Sequence, residues 1–389
     1  MVLAMAKRIL VLGGGTGGVV AAKKLSSALR GKAEYEVTLI TNSPYHEFQP
    51  LYADVAFGTA TPEELRAPIK SLERRGVRVL VENVKGIDLA DRVVRTDKGS
   101  YNYDYLVVSL GVRYDWDKYP GLRDAGYHNY TLDGALELAR ALAGFKRGRI
   151  VLLVPEMPHR CGMYPHEAVT LLAETYRNRG ADVSVTLLTP EKEPMGVLSR
   201  EFAEIWVRKY EELGVERVVH TGLVEVDAEN RVVRASNVEE KYDLLIKVPP
   251  STLPEPLALS EGFVNKQDPR WTVIDPRYFR HPEYSEVYLT GEHSMPPAGM
   301  PTAGIPVHFA SEYAADMIAS EILGGYPVPG VTKTMTCVGY YGATGGFAAN
   351  CEALFAGQRW QLKCYAVSTS PILRVFKEAF YKAWIASMK

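Results

Sequence analysis

Cysteine is scarce in this 389-residue chain: Cys161, Cys337, Cys351 and Cys364 are the full set, and no two lie two residues apart. That spacing excludes a zinc ribbon and the iron–sulfur cluster patterns, so no metal site is expected. So few cysteines over such a length also exclude a disulfide-stapled secreted scaffold. Long apolar runs are missing as well. No stretch approaches the roughly 18 residues of a membrane-spanning helix. The apolar run at residues 9–12, after Lys7 and Arg8, passes straight into glycine and is too short for a signal-peptide core, so no signal peptide is expected. An excess of one charge sign is the third absence. The net charge is -1, and no basic stretch exists to displace counterions from a phosphate backbone, which excludes nucleic acid as a partner. What remains is 47% apolar residues, enough for two or three packed domains, and 23 tyrosines, a residue that packs cores and also suits flat ring ligands.

The first positive signal is at the N-terminus. Residues 7–12 form a buried-strand pattern, residues 13–18 are GGGTGG, a helical stretch runs from residue 19 to about 29, and a second strand pattern covers residues 35–41. Strand, GxGxxG, helix, strand is the dinucleotide-binding order. Gly13 permits the tight turn, Gly15 lets backbone approach a pyrophosphate, and Gly18 lets helix pack on strand. The helix N-terminus then faces the phosphates. An acid usually follows the second strand to hold a ribose. Here Thr41 and Asn42 stand there, with Glu47 as a weaker stand-in.

Two later segments bear on the cofactor. Residues 103–111, YDYLVVSLG, and 287–292, VYLTGE, resemble the later strand signatures of flavoprotein disulfide-reductase-like enzymes. The resemblance implies FAD rather than NAD in the first fold, with Gly111, Gly291 and Glu292 among its contacts. Glu292 stands where Asp is usual. The segment 43–58, SPYHEFQPLYADVAFG, followed by Ala67-Pro68-Ile69, is similar to one shared by type II NADH dehydrogenases and sulfide:quinone oxidoreductases.

A second strand-helix-strand frame occupies residues 149–154, 167–177 and 183–188, but its loop, PEMPHRCGMYPH, has one glycine and three prolines. Proline offers no N–H to a phosphate, which argues against NADH binding there. Cys161 stands in its place, just before a helix N-terminus, with Arg160 and His159 beside it. Those neighbours predict a lowered thiol pKa.

The run Cys161-Gly162-x-x-Pro165-x-Glu167 is similar to the cysteine segment of sulfide:quinone oxidoreductases and of the flavocytochrome c sulfide dehydrogenase flavoprotein. Residues 336–347, TCVGYYGATGGF, resemble the segment carrying the second cysteine of those families. The resemblance implies a Cys161–Cys337 redox pair beside the flavin, attacked by sulfide, with Glu167 as proton acceptor or as a helix first-turn acid. It further implies electrons passing through FAD to a membrane quinone. A cytochrome acceptor, type II NADH dehydrogenase activity and a non-enzymatic redox sensor are the alternatives. Tyr130 replaces the family's third cysteine, and Thr302, in PTAG at 301–304, replaces a lysine near the flavin. Cys351 and Cys364 are expected to be bystanders, although Cys351 is near enough in sequence to rival Cys161 for Cys337.

Residues 371–389 predict an amphipathic helix in which Arg374, Lys377, Lys382 and Lys389 oppose one acid, Glu378. Such a helix lies on a lipid surface or packs on a second subunit as a homo-oligomer contact. The protein is thus expected to be a peripheral, monotopic membrane protein. Phe347 and Tyr341 are the candidates for stacking on the quinone. The expected fold class is α/β, with two Rossmann-like domains and a C-terminal segment. FAD binding is assigned to residues 5–112 and 285–325, the degenerate second fold to 148–284, and the second cysteine and amphipathic helix to 326–389.

Overall fold

The structure, a computed structural model, describes residues 6–325 and 333–388. The expected boundary at residue 326 lies outside the described residues. In chain order the elements that build the site are β1 (Lys7–Leu12), α1 (Thr16–Leu29), β2 (Tyr35–Thr41), β3 (Val77–Val81), β4 (Tyr105–Val108), β5 (Arg147–Leu153), α2 (Tyr164–Asn178), β6 (Asp182–Thr189), α3 (Arg200–Leu213), β7 (Glu216–Val219), β8 (Leu244–Lys247), β9 (Val287–Leu289), α4 (Gly304–Ile322), β10 (Lys333–Tyr341), β11 (Gly345–Ala356), β12 (Arg359–Ser370) and α5 (Pro371–Ala386).

The first sheet is parallel, in the order β9-β4-β1-β2-β3. Residues 9–12 are buried on both faces: Ile9 and Val11 enter one core with Leu39 and Val107, while Leu10 and Leu12 enter another with Ile40 and Leu106. That two-sided burial is why β1 is a continuous apolar run and not an alternating one. The second parallel sheet has the order β7-β6-β5-β8. In both sheets the chain reverses its direction of winding at the first strand, and a ligand crevice opens beyond the carboxyl end of that strand. The glycine loop after β1 and the Cys161 loop after β5 therefore hold equivalent positions in two copies of one architecture.

The C-terminal segment is a three-stranded antiparallel sheet, β10-β11-β12, with α5 packed back across it. Gly346 makes that packing possible. A Cβ there would sit 2.3 Å from the backbone nitrogen of Arg374, so only glycine admits α5 at this distance. Cys351 and Cys364 face each other across β11 and β12, are buried, and form a disulfide with each other. Cys351 is therefore tied to Cys364 and not to Cys337. The bridge closes a loop of 13 residues, and loops near that length contribute roughly 2–4 kcal/mol by restricting the unfolded chain. Cys364→Ala is expected to lower the urea midpoint accordingly while leaving flavin reduction unchanged.

Candidate active site

The end of β1 feeds the glycine loop directly into α1, whose N-cap is Gly15. A Cβ on Gly18 would lie 1.9 Å from the Gly13 carbonyl oxygen, so the loop closes on its helix only because residue 18 is glycine. At Gly15, by contrast, nothing lies within 4 Å of an added Cβ. That open side, under the unsatisfied N–H groups of a helix's first turn, fits a pyrophosphate. Thr41 is buried with its hydroxyl against Gly14, where it accepts the Ser43 N–H, while Asn42 is exposed. Thr41 thus shapes the loop.

His46, fully buried, joins this loop to α5. The Trp384 indole N–H donates to His46 Nε2 at 2.9 Å, and His46 Nδ1 lies 2.9 Å from the Gly14 carbonyl oxygen. An indole only donates and a carbonyl only accepts, so the ring is neutral with its proton on Nδ1. Burial also pushes the His46 pKa down. The glycine loop therefore depends on a residue more than 300 positions later, which no local pattern signals. Trp384→Phe keeps the ring packed on Phe48 and removes the donor. It is expected to weaken FAD retention about fivefold, the worth of one neutral hydrogen bond to a buried group, as measured by flavin fluorescence on dilution.

A cavity of about 450 Å³ lies between Glu47, Gln49, Gly111, Tyr114, Arg160 and Glu292. Its position and polar rim fit the rest of an FAD. Glu292 is buried and lines the cavity, and its carboxylate is paired with Arg160 at 3.0 Å. Arg160 also donates to Gln49 and to the Tyr114 hydroxyl. One guanidinium thus ties the Cys161 loop to three segments around the cavity, a role that sequence spacing did not indicate.

Cys161 itself has φ of 58°, a left-handed conformation that costs a non-glycine residue about 1 kcal/mol or more. The loop is held there by Cys161 N–H donating to the Thr302 carbonyl at 2.6 Å, by Tyr164 N–H donating to the Cys161 carbonyl at 2.9 Å, and by the Thr302 hydroxyl donating to the His159 carbonyl. Tyr130 supports the same loop, its hydroxyl donating to the Arg160 carbonyl at 3.1 Å. The two departures from the family pattern, Tyr130 and Thr302, are therefore both structural supports of the Cys161 loop.

The expected low thiol pKa is not found. Burial pushes Cys161 up to about 11, with Glu167 adding to the rise. Burial, then Glu167 and Cys161, push Cys337 up to about 12. The neighbours that were to favour a thiolate are otherwise engaged: Arg160 is paired with Glu292, and burial lowers His159 to about 4, leaving it neutral. Both cysteines are half-buried and free, and Glu167, on the helix that follows Cys161, accepts the Tyr340 N–H of the strand that carries Cys337 at 2.6 Å. The structure thus brings Cys161, Cys337 and Glu167 together from α2 and its preceding loop and from β10.

A cation completes the group. Lys377 of α5 is buried, with its ammonium 3.4 Å from Glu167 Oε1 and 3.2 Å from the centroid of the Tyr340 ring. Glu167 Oε1 also accepts the Tyr340 N–H at 2.6 Å. Tyr340 in turn donates its hydroxyl to buried Asp54. Burial raises the pKa of both carboxyls, and Lys377 opposes the rise.

That finding corrects the reading of α5. Lys377 points inward, and Arg374 folds onto Glu378 at 3.1 Å and onto the Ala343 carbonyl. Outward-facing residues include Ile372, Val375, Phe376 and Phe380, all exposed. The helix is amphipathic, but it is the apolar face that meets the surroundings. Lys389 lies outside the described residues. No helix among the described residues is long and apolar enough to cross a membrane. Phe347 and Tyr341 are not turned toward a ligand space. Phe347 is fully buried with its ring against Phe202 and Trp206, and the Tyr341 hydroxyl donates to the Ile205 carbonyl at 2.8 Å. Both pack against α3. Aromatic spacing near a glycine-rich turn did not distinguish packing from recognition.

Known proteins match this architecture. Residues 7–154 match the pyridine nucleotide-disulphide oxidoreductase family, and residues 136–249 match the central region of the flavocytochrome c sulfide dehydrogenase flavoprotein chain. A mitochondrial sulfide:quinone oxidoreductase of Dictyostelium discoideum is 26% identical over 318 residues, covering 77% of this chain and 68% of its own. A type II NADH:quinone oxidoreductase of Staphylococcus haemolyticus is 26% identical over 251 residues, covering 61% of this chain and 62% of its own. The solved sulfide:quinone oxidoreductase of Aquifex aeolicus superposes with a TM-score of 0.82 at 21% identity, over 98% of this chain and 91% of that one, which establishes the shared fold. With the glycine loop, the cavity beyond it and these similarities in agreement, the chain is an FAD-binding oxidoreductase built on two dinucleotide folds and similar to the sulfide:quinone oxidoreductases.

Proposed function

We propose that the protein oxidises sulfide through a Cys161–Cys337 disulfide and passes the electrons by way of FAD to a membrane quinone. The observation that carries this reading is that Glu167, on the helix that follows Cys161, bonds the strand that carries Cys337, so that two free thiols distant in sequence flank one half-buried carboxylate, with the second fold's phosphate loop given over to one of them. FAD bound in the first fold supplies a two-electron acceptor.

The chain's own groups account for the sulfur chemistry. Hydrogen sulfide attacks one sulfur of the disulfide. The S–S bond breaks, the attacked cysteine becomes a persulfide, the other leaves as thiolate, and Glu167 takes the proton. Thiols with pKa values near 11 and 12 are poor leaving groups. Lys377, which pulls the Cys337 pKa down, favours departure of that thiolate. Burial raises the Glu167 pKa and so its affinity for that proton, while Lys377 and the Tyr340 N–H oppose the rise.

Exposed Ile372, Val375, Phe376 and Phe380 on α5 support a lipid-surface location and hence a quinone acceptor. The match of residues 136–249 to a flavocytochrome flavoprotein chain favours a second reading, with a cytochrome as acceptor. Anaerobic addition of sulfide is expected to bleach the flavin band, NADH to leave it unchanged, and decylubiquinone to restore it. Restoration by cytochrome c alone selects the second reading, and bleaching by NADH overturns both.

A further inference from the structure

The helix that follows Cys161 holds the strand that carries Cys337 at two points. The first, in the opening turn of α2, is the bond from the Tyr340 N–H to Glu167. The second lies two helical turns further on, at Glu174. This carboxylate is buried and grips the turn between β10 and β11. Its Oε2 accepts the Ala343 N–H at 2.5 Å and the Thr344 N–H at 3.3 Å, while Oε1 accepts the Thr344 hydroxyl at 2.9 Å. Lys209 of α3, also buried, lies 3.9 Å from Glu174 Oε1 and donates to Glu212 at 2.9 Å. Arg374 of α5 donates to the Ala343 carbonyl, so the turn is met from two helices.

A glycine makes room at each point. A Cβ on Gly339 would collide with Glu167 Oε1, and one on Gly342 with Glu174 Oε2. The spacings also agree. The seven residues from Glu167 to Glu174 rise roughly 10 Å along α2, and the three from Tyr340 to Ala343 extend roughly 10 Å along the end of β10. The two segments therefore run side by side in the same direction, with their register fixed at two places. Cys161 comes before the first point on one segment, and Cys337 comes before it on the other. A carboxylate that accepts two backbone N–H groups is a strong anchor. With Glu167 alone, β10 could pivot about a single bond.

We propose that Glu174 is a positioning residue for the Cys161–Cys337 bond: it fixes the register of β10 on α2 and thereby sets how readily the two thiols close. The proposal rests on the disulfide reading given under the proposed function and names what controls that bond. Loss of the second anchor lowers the effective concentration of one thiol at the other and leaves the chemistry of each unchanged.

The test equilibrates the FAD-loaded protein anaerobically with reduced and oxidised glutathione. Two protein thiols and one oxidised glutathione give the protein disulfide and two reduced glutathiones. Acid quenching, alkylation and mass spectrometry then read each bridge. Wild type is expected to close the Cys161–Cys337 bond. Glu174→Ala is expected to lower the equilibrium constant for closure about tenfold, which raises the potential of the pair by about 30 mV. Glu174→Gln keeps the side-chain volume and one acceptor oxygen, is expected to fall between the two, and serves if the alanine variant does not fold. Glu212→Gln removes a partner of Lys209 but leaves the turn bonded, and is expected to match wild type. The Cys351–Cys364 bridge lies in the same sheet and is the internal control, expected to stay closed throughout. Unchanged closure in both Glu174 variants overturns the proposal and leaves the disulfide reading intact. Opening of both bridges together shows a general loosening of the sheet and also overturns it. If wild type never joins Cys161 to Cys337, the disulfide reading fails and the proposal falls with it.

Discussion

Cys161→Ser is expected to slow sulfide-driven bleaching of the flavin by a factor on the order of a thousand or more, the scale of losing a nucleophilic centre. The reason is the absence of an electrophile. A serine cannot form the disulfide, and sulfide then meets no sulfur–sulfur bond to break. Cys337→Ser is expected to have an effect of the same size, because both residues belong to the one bond. Stopped-flow mixing with sulfide under anaerobic conditions reads both. Dithionite is expected to reduce the flavin of both variants normally, showing that FAD is still bound. The pairing of Cys351 with Cys364 makes the result specific, since that bridge is buried and already closed and offers no substitute partner.

Glu167→Gln is expected to lower turnover about 10²- to 10⁴-fold, the usual worth of a positioned proton acceptor. The pH dependence sharpens this. Burial raises the Glu167 pKa, and the carboxylate must be deprotonated to take the sulfide proton. Activity is therefore lost as pH falls through a value above the ordinary carboxylate range, and Glu167→Gln removes that limb. Lys377 opposes the rise, so Lys377→Met removes a stabiliser of the anion and moves the acid limb to still higher pH. A role in packing alone would leave the limb in place. The profile of the sulfide half-reaction for wild type and both variants is the measurement.

Local chemistry made the first fold legible. The glycine spacing at residues 13–18, the apolar strand before it and the helix after it are consequences of one turn and one packing distance, and all lie within a short stretch of chain. The Cys161 loop was legible for the opposite reason: three prolines and a single glycine cannot cradle a phosphate, so its departure from the first loop was itself a signal. Lys377 was not legible. On a helix with an apolar stripe, a lysine is expected to face water, and only the fold shows that the stripe faces out while the ammonium reaches Glu167. The thiol pKa values failed for a related reason. Cationic neighbours in sequence predicted thiolates, but burial outweighs them once Arg160 has turned to Glu292. His46 lies within the segment 43–58, yet its two partners, Gly14 and Trp384, come from opposite ends of the chain.

The disposition of the four cysteines can be read directly from the oxidised protein. Alkylation without reductant, digestion and mass spectrometry should find the peptides carrying Cys161 and Cys337 joined, those carrying Cys351 and Cys364 joined, and the first link alone opened by sulfide. Alkylated Cys161 and Cys337 in an oxidised protein whose flavin sulfide still bleaches would contradict the account.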